Sequence, residues 1–339
     1  MFWDVVTSVL ELFIGVGVFL LAIVMLTKIF GRPSERLHRF FEKTGRNRFA
    51  NVSLGIAAVG ITQSSGPTTV IIISLVGGGM LTLFQATSLV MGINIGSSLT
   101  SLMFVFSAFR IRYLIMFLVF VGAAIRLATK KERCVRTANV FITFGLLFIG
   151  MGMMSSALSN NEIIVNFFTG VFSRITFPLW LFLIGTIFAA LIQSSSAAIG
   201  ISVAMVGSGL LPFESAIFIV IGANLGTSFI AMIASLPGNQ NARRVGLFHV
   251  LFNFLGSILF LAIVWPLQSI LVPWYQERIS DPVIQMSVFH VIFNTVTMLT
   301  LISFIMPLNK LVCEVIKDKP ENEIQKETAS KIVQEHEIL

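Results

Sequence analysis

Charge is what this sequence is short of. Asp, Glu, Lys and Arg make up 12% of its 339 residues, and none of them occurs between Phe49 and Phe109. A soluble domain carries roughly 25% charged residues, so that class is excluded. Cysteine is nearly absent as well: Cys134 and Cys313 are the only two, both in or beside stretches expected at the cytosolic face. Neither a disulfide framework nor a cysteine metal cluster is implied. The alternating polarity of a membrane β-barrel is missing, and so are the basic start and small-residue cleavage site of a signal peptide. No Gly-x-Ser-x-Gly nucleophile turn occurs, which weighs against a serine hydrolase.

What remains is 55% hydrophobic, with 32 Phe and a mean hydropathy of +0.91. Apolar runs extend for about twenty residues, the length of a membrane-crossing helix. The fold class expected is therefore an all-α polytopic membrane protein. The net charge of +7 sits beside those runs, where it sets orientation, and no nucleic-acid partner is expected.

Two polar clusters interrupt the apolar runs, and each occurs twice. Gln63-Ser64-Ser65-Gly66-Pro67 has its echo in Gln193-Ser194-Ser195-Ser196, and Asn94-Ile95-Gly96-Ser97-Ser98 in Asn224-Leu225-Gly226-Thr227-Ser228. An offset of about 130 aligns Gln63 to Ser101 with the second copy without a gap, with about 14 of 39 positions identical. The molecule is a duplicated unit.

Each flank of the first cluster is too short to cross about 30 Å of hydrocarbon. Re-entrant hairpins at about 50–80 and 177–211 are expected, each with its polar tip at mid-depth, where irregular backbone is tolerated only if buried in protein or lining a cavity. The second clusters predict transmembrane helices unwound at Asn94 and Asn224, with Ser97 or Ser98 capping the resumed helix. Charge bias places the basic run Arg126 to Arg136 in the cytosol, which favours the hairpin over a single crossing. The arrangement predicted is two inverted-topology repeats, residues 1–130 and 131–245, further transmembrane helices at 246–308 and a charged cytosolic tail at 309–339. About seven crossings put the amino terminus outside and the carboxyl terminus inside. Arg32 to Arg48 reads as a surface amphipathic helix or an ordinary loop.

Half-helices that end at mid-membrane can hold an anion with their positive amino ends, without Lys or Arg. Hydroxyl and carbonyl oxygens suit a small hard cation such as sodium, which would supply the missing positive charge. The candidate anion residues are Gln63, Ser64, Ser65, Thr68, Gln193, Ser194, Ser195 and Ser196. Candidate sodium residues are Asn94, Ser97, Ser98, Asn224, Thr227 and Ser228. A packing seam of small residues is the other reading of these clusters. His249 and Asn253, repeated as His290 and Asn294, share a helix face at i and i+4 and are secondary candidates.

At these residues the sequence resembles the type II sodium/phosphate cotransporters, whose signature is a duplicated Gln-Ser-Ser-Ser followed about thirty residues later by Gly-Ala-Asn-Ile-Gly-Thr-Ser. The second copy here, Gln193-Ser194-Ser195-Ser196 and Gly222-Ala223-Asn224-Leu225-Gly226-Thr227-Ser228, matches closely, and the first more loosely. The resemblance implies sodium-coupled symport of inorganic phosphate across the plasma (inner) membrane by alternating access, with phosphate and sodium as partners and no cofactor beyond sodium as coupling ion. Tyr113 to Val121 is apolar where some relatives have an Asp linked to an extra sodium ion, so stoichiometry stays open, as does the oligomeric state. Another small anion such as a carboxylate, sulfate or arsenate fits the same polar groups. An intramembrane serine hydrolase and a channel are the readings outside carrier transport.

Overall fold

The computed structural model describes residues 2–30, 45, 47–62, 65–108, 112–159, 161, 163, 166, 170, 174–192 and 194–318. These are helical almost throughout, and no strand occurs among the described residues. In order, the helices are α1 (Phe2–Phe30), α2 (Arg48–Thr62), α3 (Ser65–Gly77), α4 (Leu83–Leu102), α5 (Arg112–Ala128), α6 (Glu132–Ser159) and α7 (Pro178–Ile192). They continue as α8 (Ser195–Gly207), α9 (Phe213–Ser235), α10 (Gln240–Val264), α11 (Gln268–Gln276), α12 (Pro282–Leu301) and α13 (Ile305–Val315). Among the described residues five stretches are long and apolar enough to cross a membrane: Leu83–Phe106, Glu132–Met154, Phe213–Ser235, Gln240–Val264 and Pro282–Val315. The expected surface helix at 32–48 falls mostly outside the described residues.

Local chemistry marks the ends. Thr82 and Gln85 form a reciprocal capping box at the start of α4, Asn239 caps α10, and Asp281 caps α12; each satisfies amides that a helix start leaves unpaired. Helices α3 and α8 end alike. Gly79 (φ 71°) and Gly209 (φ 75°) adopt the left-handed conformation that glycine tolerates. The returning amides match as well: Gly79 N and Met80 N bond Val76 O and Leu75 O, while Gly209 N and Leu210 N bond Val206 O and Met205 O.

The duplication seen in the sequence is reproduced contact by contact. A Cβ placed on Gly92 would lie 2.0 Å from Val52 O, and one on Gly222 2.0 Å from Phe182 O. Gly55 meets Leu89 O at 2.3 Å, and Gly185 meets Ile219 O at 2.1 Å by the same construction. Glycine at these positions lets α4 lie directly on α2, and α9 on α7, as small residues do in membrane helix packing. Both pairs run parallel, because residue numbers rise together along each contact: 52 with 92 and 59 with 96, then 182 with 222 and 186 with 226.

Helices α4 and α9 are the centre of the molecule. They are buried nearly all round, as an interior helix that is apolar on every side must be. Helices α1, α5 and α6 form an outer layer: α6 packs against both α1 and α5 and reaches the rest chiefly through α8. Phe19 of α1 fills a notch left by Gly200 of α8 and meets Phe104 with ring centroids 6.0 Å apart.

Two sequence expectations need correction. Helices α4 and α9 are not unwound: each passes unbroken through its asparagine. The amide nitrogens of Asn94 and Asn224 donate to the carbonyls one turn back, Val90 O at 2.9 Å and Val220 O at 3.1 Å, so each side chain braces its helix. Accordingly Ser97 and Ser98 cap nothing; their hydroxyls donate to Asn94 O and Ile95 O within the helix. At the carboxyl end, α13 carries the packed structure to Val315 with Asn309 and Val312 buried, beyond where the tail was expected to begin.

Candidate functional site

The helical path is interrupted twice at matching places. Helix α2 stops at Thr62 and α3 starts at Ser65; α7 stops at Ile192 and α8 starts at Ser195. Of the residues expected at these joints, Gln63, Ser64 and Gln193 lie outside the described residues. Thr68 is buried and its hydroxyl meets that of Thr62 at 2.8 Å, tying α3 to α2 across the first joint. Thr69 Oγ1 donates to Ser65 O at 2.9 Å. At the second joint Ser194 caps α8, its hydroxyl oxygen accepting from Ala197 N at 3.2 Å. Ser195 is buried, and Ser194 and Ser196 are half-buried.

Both joints therefore present a helix amino end set in hydroxyls. The partial positive charge there, about half an elementary charge, is the only fixed positive potential that the flanking sequence supplies. Between Ile175 and Ala242 the one charged residue is Glu214, in the first turn of α9. Helix α3 packs against α9 and α8 against α4, so each joint's second helix rests on the central helix of the other copy.

The candidate cation residues occupy the central helices. Ser97, Ser98, Thr227 and Ser228 each donate to a carbonyl three residues back, at 2.7, 2.7, 3.0 and 2.6 Å. That leaves their oxygens as acceptors. Asn94 and Asn224 hold the two histidines. Asn94 Nδ2 lies 3.3 Å from His249 Nε2. His290 Nε2 lies 3.3 Å from Asn224 Oδ1, and Asn294 Nδ2 lies 3.4 Å from the same oxygen.

These contacts assign the tautomers. Asn94 presents a donor, so His249 Nε2 accepts and Nδ1 carries the proton; that Nδ1 is buried without a partner. Asn224 presents an acceptor, so His290 Nε2 carries the proton and Nδ1 faces Ser101 Oγ at 3.0 Å. The oxygens Asn253 Oδ1, Asn294 Oδ1 and Thr297 Oγ1 are likewise buried and unpartnered, which is costly in a membrane interior unless something fills their valence.

The structure thus joins the secondary candidates His249, His290 and Asn294 to the asparagines of the repeat. Sequence reasoning missed Ser101, whose counterpart in the second copy is Ala231, so the repetition that flagged the other residues passes over it. Replacing Asn224 with leucine is expected to destabilise the protein, and Asn224→Leu with His290→Leu to cost less than the two changes summed. A double-mutant cycle by detergent denaturation should give a coupling of about 0.6–1.7 kcal/mol. Strict additivity would mean that the contact contributes nothing.

The sequence profile of the Na+/Pi-cotransporter family matches residues 18–156 and 164–271. A Salmonella typhimurium protein named for inorganic phosphate export, YjbB, is 30% identical over 245 residues, 72% of this chain and 44% of that protein. The chain therefore spans less than half the length of that relative. The Bacillus subtilis protein YqeW is 26% identical over 281 residues, 81% of this chain and 86% of its own. Human sodium-dependent phosphate transport protein 2B is 33% identical over 121 residues, 34% of this chain and 16% of that protein. No solved structure matches.

Proposed function

Since the chain belongs to the Na+/Pi-cotransporter family, a family of transporters and not enzymes, we propose that it is a secondary carrier of inorganic phosphate coupled to sodium. The anion sits between the amino ends of α3 and α8, held by Ser65, Thr68, Ser194, Ser195 and Ser196 together with Gln63, Ser64 and Gln193. Sodium sits among the oxygens of Asn94, Ser97, Ser98, Asn224, Thr227 and Ser228. The carrier lies in the plasma membrane with its amino terminus outside and its carboxyl terminus in the cytosol.

The observation that carries this reading is the parallel course of α2 with α4 and of α7 with α9. A chain that turned back only at Gly79 would leave α2 and α4 antiparallel. Parallel packing needs a second reversal, at the Thr62–Ser65 joint, which supports a re-entrant hairpin with its polar tip inside the bilayer. Two such hairpins in an inverted repeat are a known design for alternating access around a mid-membrane site. Helix ends supply too little charge for a phosphate dianion in a low-dielectric site, so co-bound cations complete the balance.

Reconstituted protein tests this directly. Labelled phosphate is expected to accumulate in proteoliposomes under an inward sodium gradient and not when choline replaces sodium. Uptake indifferent to sodium would reject the coupling, and competition by sulfate or a dicarboxylate stronger than by arsenate would reassign the anion. Export is the second reading, favoured by the name of the YjbB relatives; vesicles loaded with phosphate and sodium would then release phosphate on dilution into sodium-free buffer.

A further inference from the structure

Helices α10 and α12 repeat each other at an offset of 41: Phe248-His249-Val250-Leu251-Phe252-Asn253 becomes Phe289-His290-Val291-Ile292-Phe293-Asn294. They cross antiparallel, since Gly256 meets Thr297 while the Phe260 ring lies 4.8 Å from that of Phe293 and 6.1 Å from that of Phe289. Each touches one copy of the larger duplication at its base and at its histidine, while α10 packs most extensively on α9 and α12 on α4. The start of α10 lies on the end of α3, with Ala242 Cβ 3.7 Å from a Cβ placed on Gly77, and Asn239 Nδ2 donates to Gly77 O at 2.8 Å. The start of α12 lies on the end of α8, with Val283 Cγ2 3.1 Å from a Cβ placed on Gly207. Further along, His249 reaches Asn94 of the first copy, and His290 reaches Asn224 of the second with one ring nitrogen and Ser101 of the first with the other.

One further pair of equivalent positions stands out. Arg244 and Gln285 are buried in the first turns of the two helices, at 6% and 3% exposure, where their neighbours Val245 and Met286 are apolar. Arg244 Nε donates to Ile316 O at 3.0 Å, Nη1 donates to Asn241 Oδ1 at 2.9 Å, and Nη2 pairs with Asp318 Oδ1 at 2.9 Å. Gln285 Nε2 donates to Ile279 O, and Tyr275 Oη donates to Gln285 O at 2.9 Å. A buried guanidinium is tolerated only when its donors are engaged. Asp318, however, is 77% exposed, so water can replace its carboxylate and let the clasp open.

We propose that α10 and α12 are levers, each coupling the base of one hairpin to the central helix of the same copy, and that Arg244 and Gln285 are the positioning residues that latch them at opposite ends. Opening the Asp318 clasp frees the start of α10 and with it the α3 base held through Asn239. Opening the Gln285 clasp frees the α8 base. The inference rests on the transporter reading, in which the two bases face opposite sides of the membrane.

Hydrogen–deuterium exchange on the full chain in nanodiscs tests the levers without any cargo. In Asp318→Asn the amides of Gly78 to Met80 are expected to exchange several-fold faster and those of Ser208 to Leu211 at the parent rate. Gln285→Met should reverse the pattern. Neither base responding, or both responding to either variant, would overturn the proposal. Sodium-driven phosphate uptake adds a second readout: Asp318→Asn should change the maximal rate with KM for phosphate held within about twofold of the parent. A parent that shows the exchange pattern but takes up no phosphate keeps the levers and loses the function assigned above.

Discussion

Replacing Gly222 with alanine is expected to cost most of the folded protein. The added Cβ would stand 2.0 Å from Phe182 O, well inside van der Waals contact, and the atom it meets is backbone that cannot swing away. Relieving the clash requires α9 to separate from α7 along a face that Gly185 and Gly226 also hold at contact distance. Overpacking costs about 1–3 kcal/mol even where side chains can adjust, and here a whole helix must shift. Folded yield in detergent should fall several-fold and the thermal midpoint should drop by many degrees. Gly92→Ala should behave alike, because Val52 O occupies the same place at the same distance. Gly17→Ala, with nothing within 4 Å, serves as the neutral control. A Gly222→Ala protein as stable as the parent would mean that the two helices are farther apart than described.

Ser195→Ala should leave the fold intact and remove transport. Ser195 is buried at the first position of α8, beside the cap Ser194, where the amide of a first-turn residue has no partner within the helix. A hydrogen bond to a charged ligand contributes about 1.5–3 kcal/mol, so phosphate uptake should fall roughly 10- to 150-fold. Ser65→Ala at the matching position is expected to do the same. Ser194→Ala is the less clean test, since losing the cap alone costs about 1 kcal/mol of stability. Ser74→Ala, an exposed hydroxyl bonded to Val70 O on α3, should transport normally. Parent kinetics in both Ser65→Ala and Ser195→Ala would reduce the serine clusters to packing seams.

Much of this arrangement was legible in the residues. Uncharged runs marked the membrane class, and the Gln-Ser-Ser clusters begin between α2 and α3 and between α7 and α8, because a hydroxyl cap followed by a fresh apolar run is a local signal. The asparagine clusters misled for a physical reason. Gly92-Ile93-Asn94 and Gly222-Ala223-Asn224 combine two poor helix formers, and propensity reads that as a break. The glycines instead admit a neighbouring carbonyl, and the asparagines bond back into their own helix. Only the position of α2 and α7, set by long-range packing, distinguishes the two. The partners of the histidines were not legible for a related reason: His249 meets Asn94 across 155 positions, and nothing local to either residue announces the other.

That separation bears on how the protein is made. Asn94 leaves the ribosome long before its partner, and at about 5–20 residues per second the wait is roughly 10–30 seconds. Asn224 waits for His290 across only 66 positions. During synthesis Asn94 is held only by the bond to Val90 O in its own helix until α10 emerges, so a stall between Ser235 and Gln240 would leave the earlier half without its cross-helix partner, whereas the later half waits less than half as long.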